Sequence, residues 1–388
     1  MTSGVPEDFL LAPLLTSLRH GGQAAKRGEG NEKLLTLILQ EFLSGDTTLS
    51  SRRFLLRAGE LSIVSPEYKK SFLPRLRGRL GGGTSLALKI ALLCLAKRGE
   101  SPEEILSVIR LFERLETRFV PGVPETLDVC GTGGDGKNTF NISTIAALVI
   151  AGAGGPVAKH GNRAISSRCG SSDLMEALGV RLDAAPSRML AALKQCGMAY
   201  FHAPLYHPLL AKVAPLRREL GVRTLFNFLG PFLNPVRVQA QMLGCARKDF
   251  IKIFARILKL RHITRAVVLH SHDGLDEIST AAPTDVVELR RGVFRSWRLH
   301  PGTLGFLKAR TGDYRGGDKQ TNKKIALGIL CGKIRGPARD VVLLNAAMGL
   351  YTGGRARHVR EGLQLAGASV DQRRAYRVLQ NLIRISNT

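Results

Sequence analysis

No apolar run in this sequence is long enough to cross a bilayer. The longest, around Ile145 to Ala158, is broken by glycines and falls short of the roughly 20 residues a membrane helix requires. The N-terminus lacks a basic leader: Glu7 and Asp8 stand ahead of "FLLAPLL", which argues against a secretory signal and against an acid-poor transit peptide. The six cysteines form no C-x-x-C and no paired Cys/His spacing, so zinc is set aside and reduced thiols are the default. Internal repeats and low-complexity tracts are absent too. The expectation is a soluble cytoplasmic protein whose 388 residues, 44% of them hydrophobic, make one large domain or two ordinary ones.

Carboxylates are scarce: 31 Asp and Glu face 57 Lys and Arg, leaving a net charge of +26. One small anion does not need such an excess. The basic residues are spread out, as in Arg217-Arg218, Lys323-Lys324 and Arg373-Arg374, with no polybasic tail and no aromatic stripe among them. Solvated faces are the economical reading and nucleic-acid binding the alternative.

Among what is present, "KLLTLILQEFL" places Leu34, Leu35, Ile38 and Phe42 on one helical face. Helical pattern dominates from about 51 to 117, and "SPEEILSVIRLFERL" marks a start with Ser101 as N-cap, Pro102 at N1 and Glu104 closing a capping box. After the linker "PGVPE", β-like runs alternate with helical ones, the pattern of a parallel sheet covered by helices. "TLDVC" and "PVAKH" read as strands around the helix "STIAALVIAGAG". "ITRAVVLH" is a later strand, which runs into the acidic loop "SHDGLDE".

"DVCGTGGDGKNTFNIST" (128–144) spells G-x-G-x-x-G, but no acid follows between Asp135 and Asp173 to hold a dinucleotide ribose. Asn138 stands where a P-loop needs Ser or Thr, which excludes that use also. What is left is a strand-to-helix turn rich in amide and hydroxyl donors at a helix N-terminus, suited to a phosphorylated, polyhydroxylated ligand. "HGNRAISSRCGSSD" supplies a second donor-rich loop after Lys159, with Asn162, Arg163, Ser166, Ser167 and Ser171. Taken singly, such residues are more often turn or cap residues. Asp276-Glu277 follows a hydrophobic strand and suits a hard cation such as magnesium, although a bare Asp-Glu pair is usually surface decoration.

Four segments together, "DVCGTGGDGKNTFNIST", "VAKHGNRAISSRCGSSDLMEALGV", "HPLLAKVAPLRRELGVRTLFNFLGPFLNP" and "DGLDEIS", resemble in order and spacing the signature segments of the anthranilate phosphoribosyltransferase family. The resemblance covers about residues 85 to 385. It implies a Mg2+-dependent transfer of phosphoribose from phosphoribosyl pyrophosphate to the anthranilate amine, in tryptophan biosynthesis, with pyrophosphate released. By position, Gly131, Gly134, Asp135, Thr139, Asn141, Ile142, Ser143, Thr144, Lys159, His160, Gly161, Asn162, Arg163, Ala164, Ile165, Ser166, Ser167 and Ser171 would surround phosphoribosyl pyrophosphate. Ser143, Asp276 and Glu277 would hold the metal, and Gly131, Asn162 and Arg217 would contact anthranilate. No residue is assigned as general acid or base; His160 is equally well a structural histidine.

The implied fold is α/β with a smaller all-helical domain, in the nucleoside-phosphorylase-like arrangement, with substrates in the cleft and a homodimer formed through the helical part. The expected boundaries are an N-terminal extension over 1–50, a helical domain over 51–120 with 181–222 packing on it, and an α/β phosphoribosyl pyrophosphate-binding domain over 121–180 and 223–388. The family pattern is departed from at Ser172, where alanine is usual, at Ser271-His272, where a glycine is common, and at "DQRRA". Two other functions stay open: a pyrimidine nucleoside phosphorylase, and a non-enzymatic nucleic-acid-binding relative.

Overall fold

The structure is a computed structural model, which describes residues 31–44, 88–89, 91–93, 95–96, 99–164 and 168–388. Its chain divides into two compact units, one of residues up to Leu111 with Lys212–Phe226, the other of Phe112–Ala211 with Asn227–Thr388. The segment expected at 181–222 is therefore divided, with residues to Ala211 in the second unit.

In the first unit, helix α1 (Asn31–Ser44) lies within the stretch expected to be an extension. It buries Leu35, Ile38, Leu39 and Leu43, the i, i+3, i+4 face. Phe42 sits at the edge of that stripe, half-buried. Helix α2 (Pro102–Leu115) begins as the sequence indicates: Ser101 Oγ accepts from Glu104 N at 3.1 Å and Glu104 Oε2 accepts from Ser101 N at 2.9 Å. Lys89 pairs with Glu219, and Lys212 Nζ donates to Leu43 O at 2.7 Å.

The second unit is organised by a seven-stranded sheet: β1 (Leu127–Gly131), β2 (Val157–Gly161), β3 (Met198–His202), β4 (Ala240–Gly244), β5 (Arg265–Ser271), β6 (Thr284–Arg290) and β7 (Val293–Leu299), in the order β3-β2-β1-β4-β5-β6-β7. The first five strands are parallel. β6 and β7 run antiparallel at the edge, a hairpin that the alternating helix-strand reading does not anticipate. Arg291 and Gly292 join them, both with positive φ, as a two-residue hairpin turn requires.

Helix α3 (Ile142–Gly152) crosses from β1 to β2 and is buried nearly all round, which its unbroken apolar run "IAALVIA" dictates. Helix α4 (Ser171–Ala177) and helix α5 (Pro186–Cys196) follow β2, and α5 stops at Gly197 in the left-handed region. Helix α6 (Pro208–Leu220) runs from the second unit into the first. Amphipathic α7 (Phe250–Leu260) links β4 to β5. Of the C-terminal helices α8 (Lys319–Leu330), α9 (Pro337–Thr352), α10 (Val359–Asp371) and α11 (Arg374–Asn387), α9 packs on β1, β4 and β5 and is as buried as α3, α11 packs on α3, α5 and β3, and α8 and α10 pack on neighbouring helices. No helix among the described residues is long and apolar enough to cross a membrane.

From β1 the chain proceeds outward through β2 and β3, then returns to the other side of β1 with β4 and β5. The order thus reverses between β1 and β4, and in open α/β sheets ligands bind beyond the strand C-termini at such a point.

Candidate functional site

The reversal point is crowded by the acidic loop. Asp276 lies over the ends of β1 and β4. A Cβ on Gly131 would meet Asp276 Cγ at 2.8 Å, and one on Gly244 would collide with the Asp276 backbone carbonyl. Glycine at these two strand ends is a requirement for clearance. Asn345 on α9 then fixes the loop from behind: its Oδ1 accepts from Ile278 N at 3.0 Å and its Nδ2 donates to Ile278 O at 2.8 Å.

Both carboxylates are buried and each is tied to the glycine-rich turn. Asp276 Oδ2 accepts from Gly133 N at 2.6 Å, and Glu277 Oε1 accepts from Ser143 N at 3.2 Å. The turn reaches them through left-handed residues Gly133, Gly134, Gly136 and Asn138. Burial raises the Asp276 carboxyl well above its usual range, with the Glu277 and Asp135 charges adding to the rise. Glu277 is pushed up to about 7 by burial, against the pull of Lys159. Two adjacent buried carboxylates held in this way are short of positive charge.

Lys159 supplies part of it. Its ammonium is buried beneath the turn, donating to Val129 O at 2.6 Å and Ser143 Oγ at 3.4 Å. It also restrains Asp128 of β1, which is buried, accepts from His160 N at 3.4 Å and is raised to about 6 chiefly by desolvation. Among the described residues no cluster of three His, Cys, Asp or Glu side chains is arranged to hold a metal by itself. The donor set fits magnesium nonetheless, because that ion typically takes one or two carboxylates and completes its shell with water and substrate phosphate oxygens.

The second loop is closed by Asp173, a residue to which the sequence reading gives no role. Its Oδ2 accepts from Ala164 N at 3.0 Å and Gly170 N at 2.9 Å, clamping both ends of the loop. Arg163 turns toward α4, bonding Asp173 at 3.1 Å and Glu176 at 2.9 and 2.7 Å, and Lys319 reaches Glu176 at 3.0 Å. Asn162 Oδ1 accepts from Arg163 N at 2.7 Å, and Ser171 Oγ meets Tyr200 Oη at 2.9 Å. The unusual Ser172 is buried and bonded to Tyr200 Oη and His202 Nδ1, each at 2.8 Å. Ile165, Ser166 and Ser167 lie outside the described residues.

On the first loop, Asp135 Oδ1 accepts from Lys137 N at 3.0 Å, and Ile142 and Thr144 are buried in the first turn of α3. The Asn141 side chain is engaged by protein groups, Cys169 O at 3.0 Å and Asn322 Nδ2 at 2.9 Å. Thr139 bridges to Arg315, and a hollow of about 50 Å³ beside it is lined by Arg168, Cys169 and Arg315. The two guanidinium groups make it a candidate anion subsite. Arg168 stands within the quoted loop without an assigned role; Arg315, far along the chain, carries no sequence signal.

His160 is half of a buried histidine pair. Its Nδ1 faces Gly230 O at 3.3 Å and its Nε2 lies 3.2 Å from His207 Nε2, while His207 Nδ1 is 2.6 Å from Glu116 Oε2. A carbonyl only accepts, so His160 Nδ1 carries its proton and His160 Nε2 accepts from His207. Burial, then the His207 charge, depress His160 to about 3, which keeps it neutral as that arrangement needs. Both ring nitrogens are occupied, and the structural reading of His160 is the one supported. Arg217, in the first unit, is half-buried and its pKa is lowered by that burial, whereas Arg218 is exposed.

Residues 123–376 match the Glycosyl transferase family, a/b domain. The anthranilate phosphoribosyltransferase of Pelotomaculum thermopropionicum is 45% identical over 303 residues, covering 78% of this chain and 88% of the relative. That of Thermomicrobium roseum is 45% identical over 314 residues, 79% of this chain and 89% of its own. The crystal structure of anthranilate phosphoribosyltransferase from Thermus thermophilus superposes with a TM-score of 0.75 at 34% identity, covering 90% of this chain and 99% of the other. The Saccharomyces cerevisiae enzyme in complex with PRPP and Mg gives 0.73 at 25% identity, covering 93% and 99%.

Proposed function

This chain belongs to the anthranilate phosphoribosyltransferase family, and from that membership we propose that it transfers phosphoribose from phosphoribosyl pyrophosphate to anthranilate, releasing pyrophosphate. The observation that carries the reading is the buried Asp276-Glu277 pair, tied through Gly133 N and Ser143 N to a glycine-rich turn at the strand-order reversal. The phosphorylase and nucleic-acid readings have no comparable observation behind them.

In the reaction the anthranilate nitrogen forms a bond to the anomeric carbon, the bond from that carbon to the pyrophosphate oxygen breaks with its electron pair, and the amine gives up a proton. An aromatic amine is neutral and nucleophilic at pH 7, so no strong general base is called for and positioning carries the catalysis. Ser143, Asp276 and Glu277 would hold Mg2+, which when bound neutralises charge on the departing pyrophosphate. The turn from Gly131 to Thr144 and the loop from Lys159 to Ser171 would cradle phosphoribosyl pyrophosphate, mainly through backbone amides, hydroxyls, Arg168 and Arg315. Lys159 would act from beneath, as the counter-charge to Glu277 and Asp128. Arg217 would take the anthranilate carboxylate, with Gly131 and Asn162 as further contacts; the planar guanidinium fork suits that group.

We further take the protein to be a cytoplasmic homodimer, on the family resemblance. The purified full chain with phosphoribosyl pyrophosphate, anthranilate and Mg2+ should show magnesium-dependent loss of anthranilate fluorescence. Unchanged fluorescence would overturn the function. Arg217→Ala should mainly raise the anthranilate KM while Arg218→Ala leaves it alone, and equal effects would remove Arg217 from the site.

A further inference from the structure

The opposite edge of the same sheet carries a second concave site. Where β4 begins at Ala240 and β5 at Arg265, a hollow of about 580 Å³ opens. That volume falls in the range of small-molecule sites. Lys259, His262, Arg265 and Arg291 line it, with Glu125 as the only acid among the described residues. Three fixed cations against one carboxylate leave two positive charges, before His262 is counted.

Glu125 is committed to Arg265, 3.6 Å away, yet Arg265 Nη1 remains buried without a hydrogen-bond partner. Lys259 rests over the Phe294 ring at 5.2 Å. None of Lys259, His262 and Arg291 has an acidic partner among the described residues. Lys259 lies in the last turn of α7, where a cation complements the helix carbonyls, but that explanation does not reach Arg265 or Arg291.

The backbone points the same way. Five non-glycine residues have positive φ in the described chain, and Glu125, His262 and Arg291 are three of them. Arg291 occupies a hairpin-turn position, and His262 follows a helix end, where glycine or asparagine would be less strained. Long polar side chains are kept at these three positions in a backbone region that residues other than glycine enter only under strain.

We propose that this hollow binds a nucleotide-sized polyphosphate, its phosphates held by Lys259, Arg265 and Arg291 and its remaining bulk lying on the strand ends. The site is separate from the β1/β4 C-terminal edge and does not depend on the proposed reaction.

The test titrates ADP calorimetrically into the full chain in the absence of Mg2+ and of phosphoribosyl pyrophosphate, which is itself a nucleotide-sized polyphosphate and would compete for the hollow. One saturable ADP site per chain is expected, with adenosine not binding. Lys259→Gln with Arg291→Gly should raise the ADP Kd at least tenfold without lowering the melting temperature, since glycine relieves the turn. Absence of saturable ADP binding, or the same Kd in the variant, overturns the proposal. Inorganic phosphate binding as tightly as ADP overturns the nucleotide-sized occupant.

Discussion

Gly131→Ala is a single added methyl group aimed at the most constrained part of the site. The new Cβ would stand 2.8 Å from Asp276 Cγ and 3.2 Å from the Asp276 backbone oxygen. Ordinary carbon contacts begin near 3.5 Å, so the carboxyl has to retreat by about 1 Å. Backbone retreat is blocked because Asn345 holds Ile278, two residues on, at both its N–H and its carbonyl. The side chain must therefore swing, losing the 2.6 Å bond from Gly133 N and moving away from the position proposed for the metal. A misplacement of about 1 Å costs on the order of 100-fold in rate, which is about 2.7 kcal/mol of transition-state stabilisation. Overpacking should lower stability by roughly 1–3 kcal/mol. The assay is kcat/KM by anthranilate fluorescence across a Mg2+ titration, with urea melts alongside. Gly302→Ala is the control, since a Cβ there meets nothing within 4 Å. Gly131→Ala activity within twofold of the parent, at unchanged Mg2+ dependence, would refute the clearance argument and the role given to Asp276.

Three further outcomes follow from the same geometry. Glu277 at about 7 and Asp128 at about 6 hold protons more tightly folded than unfolded, where they sit at 4.5 and 3.8. The contribution of these two carboxyls to the stability of the ligand-free protein should accordingly fall as pH rises through that window, while buried neutral His160, depressed to about 3, contributes in the opposite direction up to about 6.5. Glu277→Gln isolates the carboxyl: its melting temperature relative to the parent should rise between about pH 5 and 7, a constant difference would contradict the shift, and the parent's Mg2+ concentration for half-activity should drop over the same range. Lys159→Met removes the counter-charge to both carboxylates and should move the acid limb of the pH–rate profile to higher pH; an unmoved limb would show that Lys159 does not act through Glu277. Glu116→Gln takes the charge from the His207 pair and should cost about 1.5–3 kcal/mol in a urea melt, while an unchanged melt would mean the pair contributes nothing to the fold.

The local elements were legible because their determinants are local. Ser101, Pro102 and Glu104 set the start of α2 within four residues, and the apolar run of α3 could only be a buried helix between two strands. The family, and with it the function, also lay in contiguous segments, since phosphate loops are built from neighbouring residues. The antiparallel β6–β7 edge escaped because a short hairpin carries less pattern than a βαβ unit. What only the tertiary structure decided is the partner of each charged group. Asp276 finds Gly133, Glu277 finds Ser143, Lys159 turns inward beneath them, Arg163 turns to Asp173 and Glu176, and His160 is closed off by His207. Sequence names donors and acceptors, whereas burial, close approach at Gly131 and Gly244, and the reversal of strand order determine which of them meet.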